Sequence, residues 1–134
     1  MEKILMERSR LDAEQLDERL HDAWVDLSAV EHDQGTVIVH GELEKPVDAS
    51  QASSIGRFGF RLVIPGADDI EVVDSEGVGT VPIEQVEYDG SLNTLRLVGG
   101  IPGYIKVRTS QRQYELEVSD TPSQVRRFLR WRPV

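Results

Sequence analysis

Apolar and polar residues alternate with a period of two through most of the chain. Residues 57–64 are the clearest case: Phe58, Phe60, Leu62 and Ile64 take one parity, and Arg57, Gly59, Arg61 and Val63 the other. That pattern predicts a half-buried strand, closed by the turn pair Pro65-Gly66. Residues 70–73 predict a shorter strand. Three hairpins follow from the same parity test. In the first, Asp33-Gln34-Gly35 reads as a three-residue loop with Gly35 at positive φ, so that His32 faces Thr36, Val30 faces Ile38 and Ser28 faces His40. Val25, Leu27 and Ala29 then share a side with Val37, Val39 and Leu43, while Asp26 and Ser28 share the other with His40 and Glu42. In the second, around Asp89-Gly90, Val86 and Tyr88 match Leu95 and Leu97. In the third, pairing Thr109 with Tyr114 sets Ile105 and Val107 beside Leu116 and Val118, Arg108 opposite Glu115, and Lys106 opposite Glu117.

Period 3.6 is confined to the two ends. Leu11, Leu16 and Leu20 make an amphipathic stripe of about ten residues with Ser9 and Asp12 at its start. Thr121, Pro122 and Gln124 read as the cap, first position and box partner of a terminal helix with Val125, Phe128 and Leu129 on its apolar side. Residues 44–56 are small, polar and without periodicity, and read as a long surface loop.

Strands joined by turns must be antiparallel neighbours, because a parallel crossover needs a dozen or more residues. The predicted fold is therefore mainly β, or α+β by strict count. It is an antiparallel meander of about eight strands forming a barrel or two-sheet sandwich, with a short N-terminal helix and a C-terminal capping helix. A chain of 134 residues predicts a single domain, 1–134.

Composition narrows the function classes. The chain has no cysteine, which excludes disulfides, thiolate metal sites and cysteine nucleophiles. Its net charge of −9 opposes binding to nucleic acid or an anionic membrane. Residues 1–10 hold only the apolar patch Ile4-Leu5-Met6, too short for a secretory core or a span, so a cytoplasmic location is expected. No cofactor is expected.

Candidate chemistry is sparse. Of His21, His32 and His40, the latter two would lie roughly 13 Å apart on their strand, at about 3.4 Å per residue, too far to share one metal. His40, Asp26 and Glu42 share one face and form the weak catalytic candidate, an imidazole among carboxylates suited to a hydrolase or metal site. No G-x-S-x-G elbow accompanies them. Gly77-Val78-Gly79 lacks the third glycine and the following helix of a dinucleotide loop. The acidic run Asp68, Asp69, Glu71, Asp74 and Glu76 fits no calcium loop.

Charge is unevenly placed: −8 over residues 1–48, −6 over residues 49–95 and +5 over residues 96–134. The basic end interleaves Arg126, Arg127 and Arg130 with Phe128 and Trp131, a mixture that favours contact surfaces. The expectation is a non-enzymatic interaction domain whose partner is another protein or a second copy in a homodimer, with Arg126, Arg127, Arg130 and Trp131 as contacts. An acidic inhibitor of a basic protein fits the same charge. The alternative is a barrel holding a small apolar ligand between Phe58, Phe60, Leu62, Val86, Tyr88 and Leu97.

Overall fold

The computed structural model describes residues 6–48, 51–100 and 103–127. Its elements in chain order are β1 (Met6–Leu11), α1 (Ala13–Leu20), β2 (Trp24–Asp26), β3 (Glu31–Asp33), β4 (Thr36–Asp48), β5 (Gln51–Ile64), β6 (Ala67–Asp74), β7 (Thr80–Asp89), β8 (Thr94–Gly99), β9 (Gly103–Thr109), β10 (Tyr114–Ser119) and β11 (Gln124–Arg127). The protein is mainly β and every strand pair is antiparallel. The strands follow one open path, β1-β10-β5-β4-β2-β7-β8-β9-β6, with β11 added to β5 and β3 to β4. The order is not a meander: β10 inserts between β1 and β5, and β6 lies at the far end from β5, its neighbour in sequence.

The alternating residues of β5 behave as their parity predicts. Phe58, Phe60, Leu62 and Ile64 are buried, and they join Val37, Val39, Leu95, Leu97, Ile105, Val107, Leu116 and others in one core. The hairpin around Asp89-Gly90 forms with Tyr88 opposite Leu95 and Val86 opposite Leu97. α1 is capped by Asp12, whose carboxylate accepts from the Gln15 amide while the Gln15 side chain accepts from the Asp12 amide. Ser9 and Leu11, expected at the start of this helix, belong to β1. Leu16 and Leu20 are fully buried. Asp17 accepts the Val86 amide at 2.7 Å beside a bulge in β7, which ties the helix to that strand.

Four expectations are overturned. The first hairpin has a two-residue loop, Gln34-Gly35, with both residues at positive φ (49° and 77°), so Asp33 faces Thr36 and His32 faces Val37. This primed-turn geometry matches strand twist, and it shifts the register by one. A turn between β2 and β3 absorbs the shift, so Val25 and Leu27 still reach the core. Second, β9 and β10 do not pair. β9 lies between β8 and β6, and β10 between β1 and β5. The charge matching survives with other partners: Arg108 faces Asp69 and Lys106 faces Glu71, while Glu115 faces Arg10 and Glu117 faces Arg8 and Arg61. Third, residues 44–48 and 51–56 are not a loop but the far halves of β4 and β5, paired as a long hairpin with a bulge near Pro46. Fourth, the terminal helix does not start at Thr121. Residues 124–127 are strand β11, which pairs with the free edge of β5 from Arg57 to Ser54. The Ser123 amide begins that ladder by donating to the Arg57 carbonyl at 2.7 Å. An unpaired edge offers more backbone hydrogen bonds than an isolated helical turn, and here that outweighs the capping signal.

Candidate functional site

The three residues proposed for chemistry do share a surface. β2 is held between β4 and β7, with Trp24 opposite both Glu42 and Pro82, Val25 opposite Gly41, and Asp26 opposite Thr80. Trp24, Asp26, His40, Gly41, Glu42 and Thr80 line a shallow depression of about 200 Å³. Gly41 forms its floor for a steric reason: a Cβ there would overlap the Trp24 carbonyl oxygen and the Phe60 ring.

The side chains are engaged with other partners. Asp26 accepts from the Ser28 amide (2.9 Å) and hydroxyl (2.6 Å), so it braces the turn after β2. Glu42 accepts from the Ser123 hydroxyl at 2.7 Å. His40 Nε2 lies 2.6 Å from Glu31 Oε2, a partner that the shifted hairpin register brings diagonally across from it. Trp24, and not Asp26, stands directly opposite Glu42. The face therefore concentrates negative charge around an indole that is 38% exposed. Asp26, His40 and Glu42 are not linked to one another by hydrogen bonds.

Of the remaining histidines, His32 is exposed on β3, and His21 lies 3.8 Å from Asp22. Among the described residues no group of three His, Cys, Asp or Glu side chains is placed to hold a metal ion. The Gly77-Val78-Gly79 turn is closed from within, because the Asp74 carboxylate accepts the amides of Val78 (3.0 Å) and Gly79 (2.8 Å). A cradle whose donors already hold a carboxylate has none left for a phosphate. The acidic run is likewise divided: Asp69 accepts the Ile70 amide, and Glu71 the Tyr104 hydroxyl at 2.7 Å. That last bond raises the Tyr104 pKa above its ordinary value.

Of the arginine-rich contact residues, Arg126 and Arg127 lie in β11 opposite Ile55 and Ser54. Arg130 and Trp131 lie outside the described residues. The residues considered for an apolar ligand are core: Phe58, Phe60, Leu62, Val86 and Leu97 are buried against one another. Tyr88 packs at the margin and donates its hydroxyl to the Thr109 carbonyl at 2.9 Å. No helix of the described residues is long and apolar enough to cross a membrane.

One further cleft was not anticipated. It measures about 440 Å³ and is lined by Asp89, Ser91, Leu92, Asn93, Thr94, Arg96, Lys106 and Arg108, on the outer side of β8 and β9. Its rim is a hydrogen-bonded turn: Asp89 accepts from the Ser91 hydroxyl and amide and from the Leu92 amide, bonds that hold its carboxyl below the ordinary range, the hydroxyl's contribution being the largest. Signals for both surfaces were present in the sequence. Gln34-Gly35 as a two-residue turn sets Glu31 opposite Ile38 and so diagonal to His40, and the parity shared by Lys106 and Arg108 marks them as neighbours on one exposed face.

With this geometry in hand, the chain was compared with protein-family models, curated proteins and solved structures. Nothing matches.

Proposed function

We propose that this protein is a non-enzymatic binding domain that docks another protein, one with a basic surface, on the face built by β2, β4 and β7. The observation that carries the reading is Trp24: a large indole stands partly exposed at the centre of a depression flanked by Asp26, Glu42 and the Glu31–His40 pair. Buried in a partner, such a ring supplies contact area at low entropic cost, and its face attracts a Lys or Arg cation. The surrounding carboxylates add charge that steers and orients a basic partner. Their hydrogen bonds to Ser28 and Ser123 favour binding over catalysis, since a base already occupied by a structural donor is not free to take a substrate proton. The architecture that goes with this reading is two packed sheets sharing β7, rather than a barrel with a hollow interior. A cytoplasmic location belongs to the same proposal, as does the absence of nucleic-acid and membrane partners, for which the negative net charge argues.

The test is a titration of the isotope-labelled protein with a short peptide of alternating Arg and Ala, followed by amide and indole NMR shifts at low salt. Shifts centred on Trp24, His40, Glu42 and Thr80, with affinity lost on Trp24→Ala, are expected. Shifts that avoid this face, or affinity unchanged in Trp24→Ala, would refute the reading. A second copy of the chain occupying the face would appear as concentration-dependent shifts of the same residues without peptide, and would also count against a foreign basic partner.

A further inference from the structure

We propose a second, independent binding site: the cleft over β8 and β9 receives a phosphate or diphosphate group of a small molecule, held by Arg96, Lys106 and Arg108. Arg96 and Lys106 are directly opposite each other across the β8–β9 pair, and Arg108 is opposite Thr94. Three cations thus stand on adjacent positions of one exposed face in a chain of net charge −9. Like charges placed directly opposite on a sheet are unfavourable unless something else compensates them.

The protein itself does so only in part. Arg96 pairs with Glu87 through one terminal nitrogen, while its Nε is sealed from solvent without a hydrogen-bond partner among the described residues. Lys106 lies over the Tyr104 ring, 4.9 Å from its centroid, and neither Lys106 nor Arg108 has an ion pair among the described residues. The carboxylates nearest to them in register offset part of that charge across the strands but bond directly to other groups: Glu71 to the Tyr104 hydroxyl, Asp69 to the Ile70 amide, and Asp89 to the turn after β7. The cleft is of the size that small ligands fill, within the ordinary range of about 300–1,000 Å³. A second depression of about 200 Å³, lined by Asp69, Ile70, Glu71, Thr94, Lys106 and Arg108, shares the two β9 cations and extends the groove toward β6.

Guanidinium forks and an ammonium are the groups that grip phosphate oxygens, the arginines in two-pronged fashion. The protein's overall charge selects for a compact ligand. Beyond about 8 Å the field of the acidic body is screened, so a small dianion seated among the three cations senses them together with only the few neighbouring carboxylates, whereas a nucleic-acid strand running past the cleft meets the repulsive remainder.

The experiment is calorimetric and NMR titration with inorganic pyrophosphate, and separately with a nucleoside diphosphate, on the whole chain and on Lys106→Gln and Arg108→Gln. Arg108 is exposed and Lys106 half-buried on the outer face, and glutamine keeps the first two methylenes of each stem. Saturable binding that shifts Thr94, Arg96, Lys106 and Arg108, weakened about tenfold (about 1.4 kcal/mol) by either substitution, is expected. A tighter nucleoside diphosphate would identify the source as a nucleotide; equal affinities would identify the phosphate group alone. Binding as strong in both variants as in the parent, no binding to either probe, or binding only to single-stranded RNA would overturn the proposal. Since Trp24 lies on the other side of β7, its amide and indole shifts report separately on the basic-partner reading.

Discussion

Replacing Gly41 by alanine tests the steric argument that builds the Trp24 face. An added Cβ would overlap the Trp24 carbonyl oxygen and sit 2.5 and 2.6 Å from two carbons of the Phe60 ring, distances that packed atoms do not adopt. Phe60 is 2% exposed and cannot swing away, and the Trp24 carbonyl belongs to β2 itself, which must move bodily. Overpacking of this kind costs about 1–3 kcal/mol, and a clash with backbone on one side and a locked ring on the other puts it at the upper end, about 3 kcal/mol. For a chain of this length each kcal/mol lowers the melting temperature by about 4 °C, so a fall of about 12 °C is expected. Gly59→Ala is the internal control. It lies in the neighbouring strand, and the nearest atom to its added Cβ is the Gly41 carbonyl oxygen at 4.0 Å. It should be neutral, or stabilise by up to about 1 kcal/mol as glycine's extra unfolded-state freedom is removed. Thermal unfolding followed by far-ultraviolet circular dichroism measures both, with near-ultraviolet signals reporting the displacement of Trp24. A Gly41→Ala protein melting within about 2 °C of the parent, or a Gly59→Ala protein falling as far as Gly41→Ala, would refute the close-packing argument.

Tyr114 and Asp17 supply two further tests. Burial lifts the Tyr114 hydroxyl to about 12 while it donates to the Gln111 carbonyl at 2.8 Å. The unfolded chain ionises near the ordinary value of about 10, so this contribution to stability is complete below that pH and is lost as pH climbs toward 12. Urea unfolding at a series of alkaline pH values should show that decline, and Tyr114→Phe should flatten it. An unchanged slope in the variant would contradict the assignment. Asp17→Ala deprives the Val86 amide of its acceptor and should cost about 1–3 kcal/mol in urea unfolding, with Asp17→Asn losing less because it keeps a carbonyl oxygen. Equal losses in the two variants would point away from that hydrogen bond.

What was legible in the sequence was parity, and what was not was partnership. Phe58 to Ile64 declared their buried side because each residue's neighbours two positions away are fixed by the strand itself. The third hairpin failed for a reason the charges conceal. Lys106 and Arg108 match Glu117 and Glu115 well, but they match Glu71 and Asp69 equally well, and only chain topology chooses between the two. At residues 44–48 and 51–56, composition misled because the outer halves of β4 and β5 are held by their mutual backbone pairing, which small and polar residues make as well as apolar ones. The helix signal at Thr121 was genuine locally and lost to the open edge of β5, a competitor 66 residues away at Arg57, whose carbonyl takes the Ser123 amide. For the face around Trp24, parity set Asp26, His40 and Glu42 together, while a loop one residue shorter than expected decided which carboxylate meets the imidazole.

The outermost strand of the path, β6, ends the sheet with Asp68, Asp69, Glu71 and Asp74 along its length, and Asp69 spends its carboxylate on the adjacent Ile70 amide. Such a border repels an identical border on a neighbouring molecule, so the acid side chains act as a bumper against strand-by-strand polymerisation. Without that border, eight residues of strand, Val72 among them, would be open to template fibril growth.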